Sequence, residues 1–116
     1  GNQNVSSGGK AIDTEVYAGG FQYVSSGGTA TGTKLSGGNQ NVSSGGSAIA
    51  TEVYAGGKQT VYLSGTASGA KLSGGNQNVS SGGSAIATEV YAGGKQTVYL
   101  SGTASGAKLS GGNQNV

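Results

Sequence analysis

The chain has 116 residues, of which 26 are glycine, and proline, cysteine, methionine, tryptophan and histidine are all missing. Without cysteine it cannot be a disulfide-stapled domain, and no apolar run approaches the ~20 residues that a membrane-spanning helix needs. The net charge of +2 is small and evenly spread, which excludes the basic footprint of a nucleic-acid-binding protein. We therefore expect neither nucleic-acid binding nor membrane insertion by this segment.

The chain is built from a repeat of 37 residues. Residues 38–74 and 75–111 are identical, residues 1–37 are a diverged copy, and residues 112–116 begin a fourth copy. A fixed period of this length is typical of repeat architectures, in which each unit packs only on its neighbours. We predict one continuous domain over residues 1–116.

Each repeat divides again into related halves of 19 and 18 residues, which start at positions 1, 20, 38, 57, 75 and 94. The longer half has its extra residue near Tyr17. When the halves are aligned, glutamine always occupies the third position and valine the fifth. The glutamines are Gln3, Gln22, Gln40, Gln59, Gln77 and Gln96, and the valines are Val5, Val24, Val42, Val61, Val79 and Val98.

Two short segments in each half alternate with a period of two: Gln-x-Val and, further along, Thr/Ala-x-Val/Leu. This alternation predicts short strands with one buried face, and the paired glycines that follow them predict tight corners. No window shows the apolar stripe of a helix. We predict an all-β fold, a right-handed parallel β-helix (a β-solenoid) of about six rungs of 18–19 residues, since crossovers between parallel strands are overwhelmingly right-handed.

Stacked rungs align equivalent side chains into ladders, and two of these ladders are polar. Inward-pointing glutamines must hydrogen bond along the stack, because an unpaired buried amide costs about 1–3 kcal/mol. The fifteenth position alternates in charge and reads Glu15, Lys34, Glu52, Lys71, Glu89, Lys108. We interpret this charge ladder as a register device, because a slip by one rung would stack like charges. The alternative is a solvated face with weak pairs of about 0–1 kcal/mol each.

The sequence predicts no catalytic, metal or cofactor site. Histidine and cysteine are absent, and with them the usual general bases, nucleophiles and soft metal ligands. The one close pair of acids, Asp13 and Glu15, does not recur in the later copies, so we expect a structural protein rather than an enzyme. Serines beside the glycine corners are candidate acceptors of O-linked sugar, with turn hydrogen bonding as their alternative role. They are Ser6, Ser7, Ser25, Ser26, Ser43, Ser44, Ser80 and Ser81.

The aligned columns resemble a known family. GGNQNVSSGGSAIATEV at 37–53 and 74–90, and GGFQYVSSGGTATGTKL at 19–35, are similar to the repeat of AIDA-I-type self-associating autotransporter adhesins. The resemblance implies a β-helical passenger segment of a longer protein, exported to the bacterial cell surface. It also implies homotypic self-association, cell aggregation, biofilm formation, contact with host-cell surfaces, and heptosylation of the serines by a dedicated glycosyltransferase. The halves that begin at Gly57 and Gly94 depart from the pattern, with VYLSG in place of VSSGG.

Two functions stay open at this level. The first is a glycosylated structural segment of an adhesin, and the second is a self-assembling extracellular matrix or fibril-forming solenoid with no glycan role. An enzyme built on a β-helix is a distant third, because no cleft of acidic or basic residues is expected on this rod. Gly1 and Val116 both interrupt a repeat. The terminal rungs are therefore expected to expose unpaired strand edges and to stack end to end.

Overall fold

A computed structural model describes residues 2–5, 8–99 and 101–115, apart from the side chain of Asn2. The predictions made for Gly1, Ser6, Ser7 and Val116 lie outside the described residues. The described part of the chain consists of short strands and turns without a helix. Its strands pair in parallel and stack into a β-solenoid of about six turns, which confirms the predicted fold class.

Each turn of the solenoid contributes one strand to each of three sheets. Sheet A contains β1 (Asn2–Val5), β4 (Phe21–Val24), β7 (Asn39–Val42), β10 (Lys58–Val61), β13 (Asn76–Val79), β16 (Lys95–Val98) and β19 (Asn113–Asn115). Sheet B contains β2 (Lys10–Ile12), β5 (Thr29–Thr31), β8 (Ser47–Ile49), β11 (Thr66–Ser68), β14 (Ser84–Ile86) and β17 (Thr103–Ser105). Sheet C contains β3 (Glu15–Tyr17), β6 (Lys34–Ser36), β9 (Glu52–Tyr54), β12 (Lys71–Ser73), β15 (Glu89–Tyr91) and β18 (Lys108–Ser110).

The sequence predicted two strands per rung, and this number is wrong because sheet B supplies a third. In β8 only Ala48 is buried, between the half-buried Ser47 and the exposed Ile49. One small inward residue flanked by two outward ones shows no alternation of large apolar and polar side chains, so the pattern gives no strand signal. The strand forms because its backbone pairs with the rungs on both sides, where Ala30 and Ala67 are its partners.

Neighbouring rungs are aligned column on column. Gln22 is the partner of both Gln3 and Gln40. The difference between halves of 19 and 18 residues is absorbed at the corner between sheets C and A. That corner contains residues 18–20 in the first half and residues 37–38 in the second, between strands whose register is continuous. The extra residue therefore changes a corner and leaves the stacking of the strands intact.

The core consists of two apolar strips that run along the rod. The valines of sheet A pack with the alanines of sheet B in one strip, and the valines and leucines of sheet C form the other. In the middle rungs these side chains are fully buried, as for Val42, Ala67 and Leu72. Each rung contributes only a few small side chains, so the core is thin and its stability depends on stacking many rungs.

A glutamine ladder runs through this core. From Gln22 onward, the Nε2 of each glutamine donates to the Oε1 of the glutamine one rung earlier, at 2.6–2.7 Å. In three rungs a buried threonine also donates to the glutamine oxygen, at 3.2–3.3 Å: Thr33 to Gln22, Thr51 to Gln40 and Thr88 to Gln77. Among the described residues no buried side-chain nitrogen or oxygen lacks a partner. The ladder therefore places seven amides in the rod without the penalty of an unsatisfied group.

Two adjacent glycines occupy the corner between sheets A and B, and each is required there for a different physical reason. A Cβ on Gly46 would lie 2.5 Å from the carbonyl oxygen of Val24 in the preceding rung, a distance that only a backbone shift could relieve. A Cβ on Gly45 would meet no atom within 4 Å, but the φ of Gly45 is +82°. Gly46 is thus fixed by close approach of two rungs, whereas Gly45 is fixed by backbone conformation.

This difference predicts unequal effects of two neighbouring substitutions. Gly46→Ala forces rungs apart and should lower the free energy of unfolding by about 3 kcal/mol or more. Gly45→Ala should lower it by only about 1–2 kcal/mol, the cost of a left-handed alanine. Urea denaturation followed by circular dichroism measures both. Equal losses in the two variants would show that rung-to-rung contact at Gly46 is not the constraint.

Candidate functional surfaces

The charged side chains of the described residues all lie on outer faces and corners of the rod. In this part of the chain no three His, Cys, Asp or Glu side chains are grouped as metal ligands. Nor does any helix there have the length and apolar character to cross a membrane. A cavity of about 270 Å³ opens beside the first rung and is lined by residues that include Gln3, Glu15, Tyr17 and Phe21. Glu15 is the only acid among the described residues of its lining, and its carboxylate accepts the hydrogen bond of the Tyr17 hydroxyl.

The corner between sheets A and B distinguishes the two serines of each pair. Ser25 and Ser43 are half-buried and Ser80 is buried, with 7% of its surface exposed. The second serines, Ser26, Ser44 and Ser81, are exposed and have φ values of 49–50°. The left-handed backbone turns the second residue of each pair outward, while the first one directly follows the last residue of the strand.

The exposed serines form a column along this corner. The backbone N–H of Ser26 donates to the carbonyl of Ser44 at 2.9 Å, and the N–H of Ser44 donates to Leu63 at 2.7 Å. Leu63 takes the serine position in the rung that begins at Gly57, with a φ of 47° and 54% of its surface exposed. Where the structure describes it, the column thus offers hydroxyls in three rungs and a leucine in one.

The outer side of sheet C is a charged face. Each Glu of the ladder has a Lys as its strand partner in the adjoining rungs, as Glu52 has Lys34 and Lys71. Tyrosine lies two residues after each glutamate, and serine lies two residues after each lysine. One column of the face therefore alternates between glutamate and lysine, and the other alternates between tyrosine and serine. The charged face comprises Glu15, Tyr17, Lys34, Ser36, Glu52, Tyr54, Lys71, Ser73, Glu89, Tyr91, Lys108 and Ser110.

The glutamates of the charged face are hydrogen bonded within their own strands. The hydroxyls of Tyr17, Tyr54 and Tyr91 donate to the carboxylates of Glu15, Glu52 and Glu89. This hydrogen bond is the main reason that the pKa of each of these three tyrosines is raised above its ordinary value of 10.0, with the negative charge and partial desolvation adding to it. The phenols therefore stay protonated, and stay donors, throughout the physiological pH range.

Sequence reasoning named the charged residues and missed the tyrosines that orient them. The signal was present, because Glu-Val-Tyr recurs in three strands and residues two apart in a strand lie on one face. The threonines that donate to the glutamine ladder were also missed, since Thr51 and Gln40 are 11 residues apart and come together only through the triangular course of the rung.

Comparison with known proteins shows what the repeat is similar to. Residues 1–38 match a family described as AIDA, "Adhesin of bacterial autotransporter system, probable stalk". The structure is similar to the crystal structure of a TibC-catalysed hyper-glycosylated TibA fragment, with a TM-score of 0.87 and 52% sequence identity over 90% of this chain and 39% of that chain. The chain thus spans about two fifths of the TibA fragment. No curated protein matches. These matches confirm the resemblance to AIDA-I-type adhesin repeats.

The charge ladder predicts the effect of reversing one charge. Glu52→Lys places a lysine between Lys34 and Lys71, so we expect the free energy of unfolding to fall by up to about 1 kcal/mol, and salt to reduce the loss. Glu52→Gln is the control, because it removes the negative charge without adding a third positive one and should cost less. Thermal unfolding at low and high ionic strength measures both variants. A loss that is equal in the two variants and independent of salt would contradict the electrostatic explanation.

Proposed function

We propose that this chain, built from AIDA-I-type adhesin repeats, is a structural, non-enzymatic segment of an autotransporter passenger on the bacterial cell surface. In this proposal its rods associate with one another, and thereby aggregate cells and build biofilm. The observation that carries the proposal is the alternation of charge along sheet C. The likeness to an adhesin stalk and to a TibA fragment supports the same conclusion.

The charged face is complementary to itself when two rods lie antiparallel. Along one rod the rungs read Glu, Lys, Glu, Lys, Glu, Lys, and along the reversed rod they read Lys, Glu, Lys, Glu, Lys, Glu. Aligned rung for rung, every glutamate therefore faces a lysine, in a two-fold contact that uses the same surface on both partners. If one rod is displaced along the other by one rung, like charges face each other at every rung. A displacement by two rungs restores the Glu–Lys pairs, but fewer of them.

Such a contact is weak for one pair of rods and strong for many. An exposed ion pair contributes about 0–1 kcal/mol and is screened by salt. Rods displayed in number on two cells engage together, and multivalency then raises the overall binding without any new contact. The tyrosines support this function because each one holds a glutamate in place by its hydrogen bond, which reduces the freedom that the carboxylate loses on association.

The test separates the two signs of charge. One variant replaces the three glutamates of the charged face with glutamine, and a second replaces its three lysines with glutamine. We expect each variant, displayed on bacterial cells, to aggregate poorly alone, because each remaining charge then faces a neutral glutamine, or a like charge after a displacement by one rung. A mixture of the two populations should aggregate, and added salt should disperse it. Aggregation of each variant by itself at the level of the original chain would overturn the proposal.

We also propose that the exposed corner serines accept O-linked heptose from a glycosyltransferase. The similar TibA fragment is hyper-glycosylated in a reaction catalysed by TibC. Ser26, Ser44 and Ser81 have exposed hydroxyls on an outward-turned backbone, whereas Ser80 is buried. The second serine of each pair is thus the better acceptor, because a transferase can reach it without unfolding the corner.

Co-expression with TibC and peptide mapping test this selectivity. We expect heptose on Ser44, and Ser44→Ala should remove one sugar from the intact mass. Ser43→Ala, its half-buried neighbour, is the matched control and should leave the mass increment of the sugars unchanged. Sugar found on Ser43 instead, or no sugar at any corner, would contradict the assignment.

End-on assembly into fibrils is the second candidate function. Within the rod each rung covers the core of its neighbour, and Leu72, for example, is fully buried between the rungs on either side. The same strand pairing and apolar burial between the ends of two rods would build a fibril. Fibrils formed in this way depend on strand pairing and apolar burial, so salt should leave them intact. Salt-resistant filaments seen by electron microscopy would favour this function over lateral association.

A further inference from the structure

Sheet A carries a second outer face that neither self-association nor serine modification uses. Its outward residues alternate with the buried glutamine and valine of each strand, and we call it the amide–lysine face. It comprises Phe21, Tyr23, Asn39, Asn41, Lys58, Thr60, Asn76, Asn78, Lys95, Thr97, Asn113 and Asn115. From this face we propose that the rod binds an acidic polysaccharide, a β-linked glycan with a carboxylate on every second sugar, laid along its axis.

The charge of this face favours an anionic ligand. Lys58 and Lys95 are exposed on this face, and none of its residues is acidic. The charged face of sheet C differs, because every lysine there has a glutamate as its strand partner. The cations of the amide–lysine face are therefore available to a negatively charged ligand, and the remaining positions are neutral amides and hydroxyls that both donate and accept hydrogen bonds.

The spacing of the lysines matches a carboxylate on every second sugar. Lys58 and Lys95 occupy the same column two rungs apart, and Phe21 occupies that column two rungs earlier. At a strand separation of about 4.8 Å, these positions recur at intervals of about 9.6 Å. An extended β-linked glycan advances by about one strand spacing per sugar ring. Carboxylates on every second ring therefore have about the same spacing as the lysines. The ring between two such carboxylates lies over an Asn-x-Asn strand.

An aromatic pair lies on the same face. The rings of Phe21 and Tyr23 stack on each other on the outer side of β4, with centroids 6.0 Å apart and planes inclined by 14°. This stacked pair is a rigid aromatic platform, and Tyr23, with 39% of its surface exposed, offers ring surface against which the C–H face of a sugar can pack. The platform occupies the place in the two-rung period that lysine takes in the later repeats.

The same numbers disfavour a nucleic acid. Duplex DNA carries one negative charge per ~1.7 Å of its axis, and its binding rests on neutralising several neighbouring phosphates. The described residues of this face provide two cations, about 9.6 Å apart, which is too sparse for that polymer. A ligand of low charge density that offers many hydroxyls is the chemical match for a surface of few cations and many amides.

Binding to hyaluronate tests the proposal, because this polymer has one carboxylate per disaccharide. The 116-residue chain should be retained on immobilised hyaluronate at low salt, and neither on chitin oligosaccharides, which are β-linked and neutral, nor on duplex DNA. Lys58→Asn combined with Lys95→Asn should weaken the affinity by about tenfold or more, because it removes both ion pairs that the face makes with the carboxylates of one polymer. Phe21→Asn combined with Tyr23→Asn should also weaken it.

The columns themselves provide the controls. Asparagine already occupies the lysine position at Asn39 and Asn76, so these substitutions are compatible with the fold, and circular dichroism checks that the strands persist. Lys10→Thr removes the same charge from sheet B, where Thr29 is the equivalent residue, and should leave the affinity unchanged. An equal loss from Lys10→Thr and Lys58→Asn, or equal retention on duplex DNA, would show general charge attraction and overturn the proposal. So would undiminished binding of the double lysine variant.

Discussion

The hydrogen-bonded glutamine ladder is the constraint on which the other columns depend. Each amide must meet the amide of the next rung at hydrogen-bond distance, because a buried amide without a partner costs about 1–3 kcal/mol. A slip of one residue would turn these amides outward and the charged residues inward. Apolar packing alone would allow such slips more readily, because the inward valines and alanines are small and similar. The polar interior therefore determines which surface residues lie next to one another.

Most of the fold was predictable from the sequence because repetition exposes the inward columns. The glutamine and valine of each half recur at one spacing, and their alternation indicated sheet A directly. Sheet B escaped notice because its only inward residue is alanine, as in Ser47–Ile49. The surfaces were predicted less completely than the fold. Which serine of a pair is exposed depends on a left-handed backbone at Ser44, and the contact of Thr51 with Gln40 depends on how the rung closes.

A residue's role in this fold depends on the side of the strand on which it lies: inward residues stabilise the rod, and outward residues determine the chemistry of its surface. Inward positions are nearly invariant from rung to rung, since each must pack and hydrogen bond with equivalents above and below. Outward positions face solvent and vary between rungs at little cost, as Asn39 and Lys58 do in one column. Sheets A and C thus carry different chemistry on the same scaffold. A rod of this kind can hold two binding surfaces without a conflict between them.

Long and short halves alternate at the corner between sheets C and A, so the rod consists of two kinds of rung in strict alternation. Loss or gain of a whole 37-residue unit preserves every column and the order of charges, and only the length of the rod changes. Loss of a single rung still leaves the glutamines and valines stacked, so the chain can fold. It brings two like charges together at the junction, however, and beyond that point every surface residue is out of phase with the proposed antiparallel partner rod. Two rungs, rather than one, are therefore the smallest step by which such a protein can lengthen or shorten and keep the order of charges on its surface.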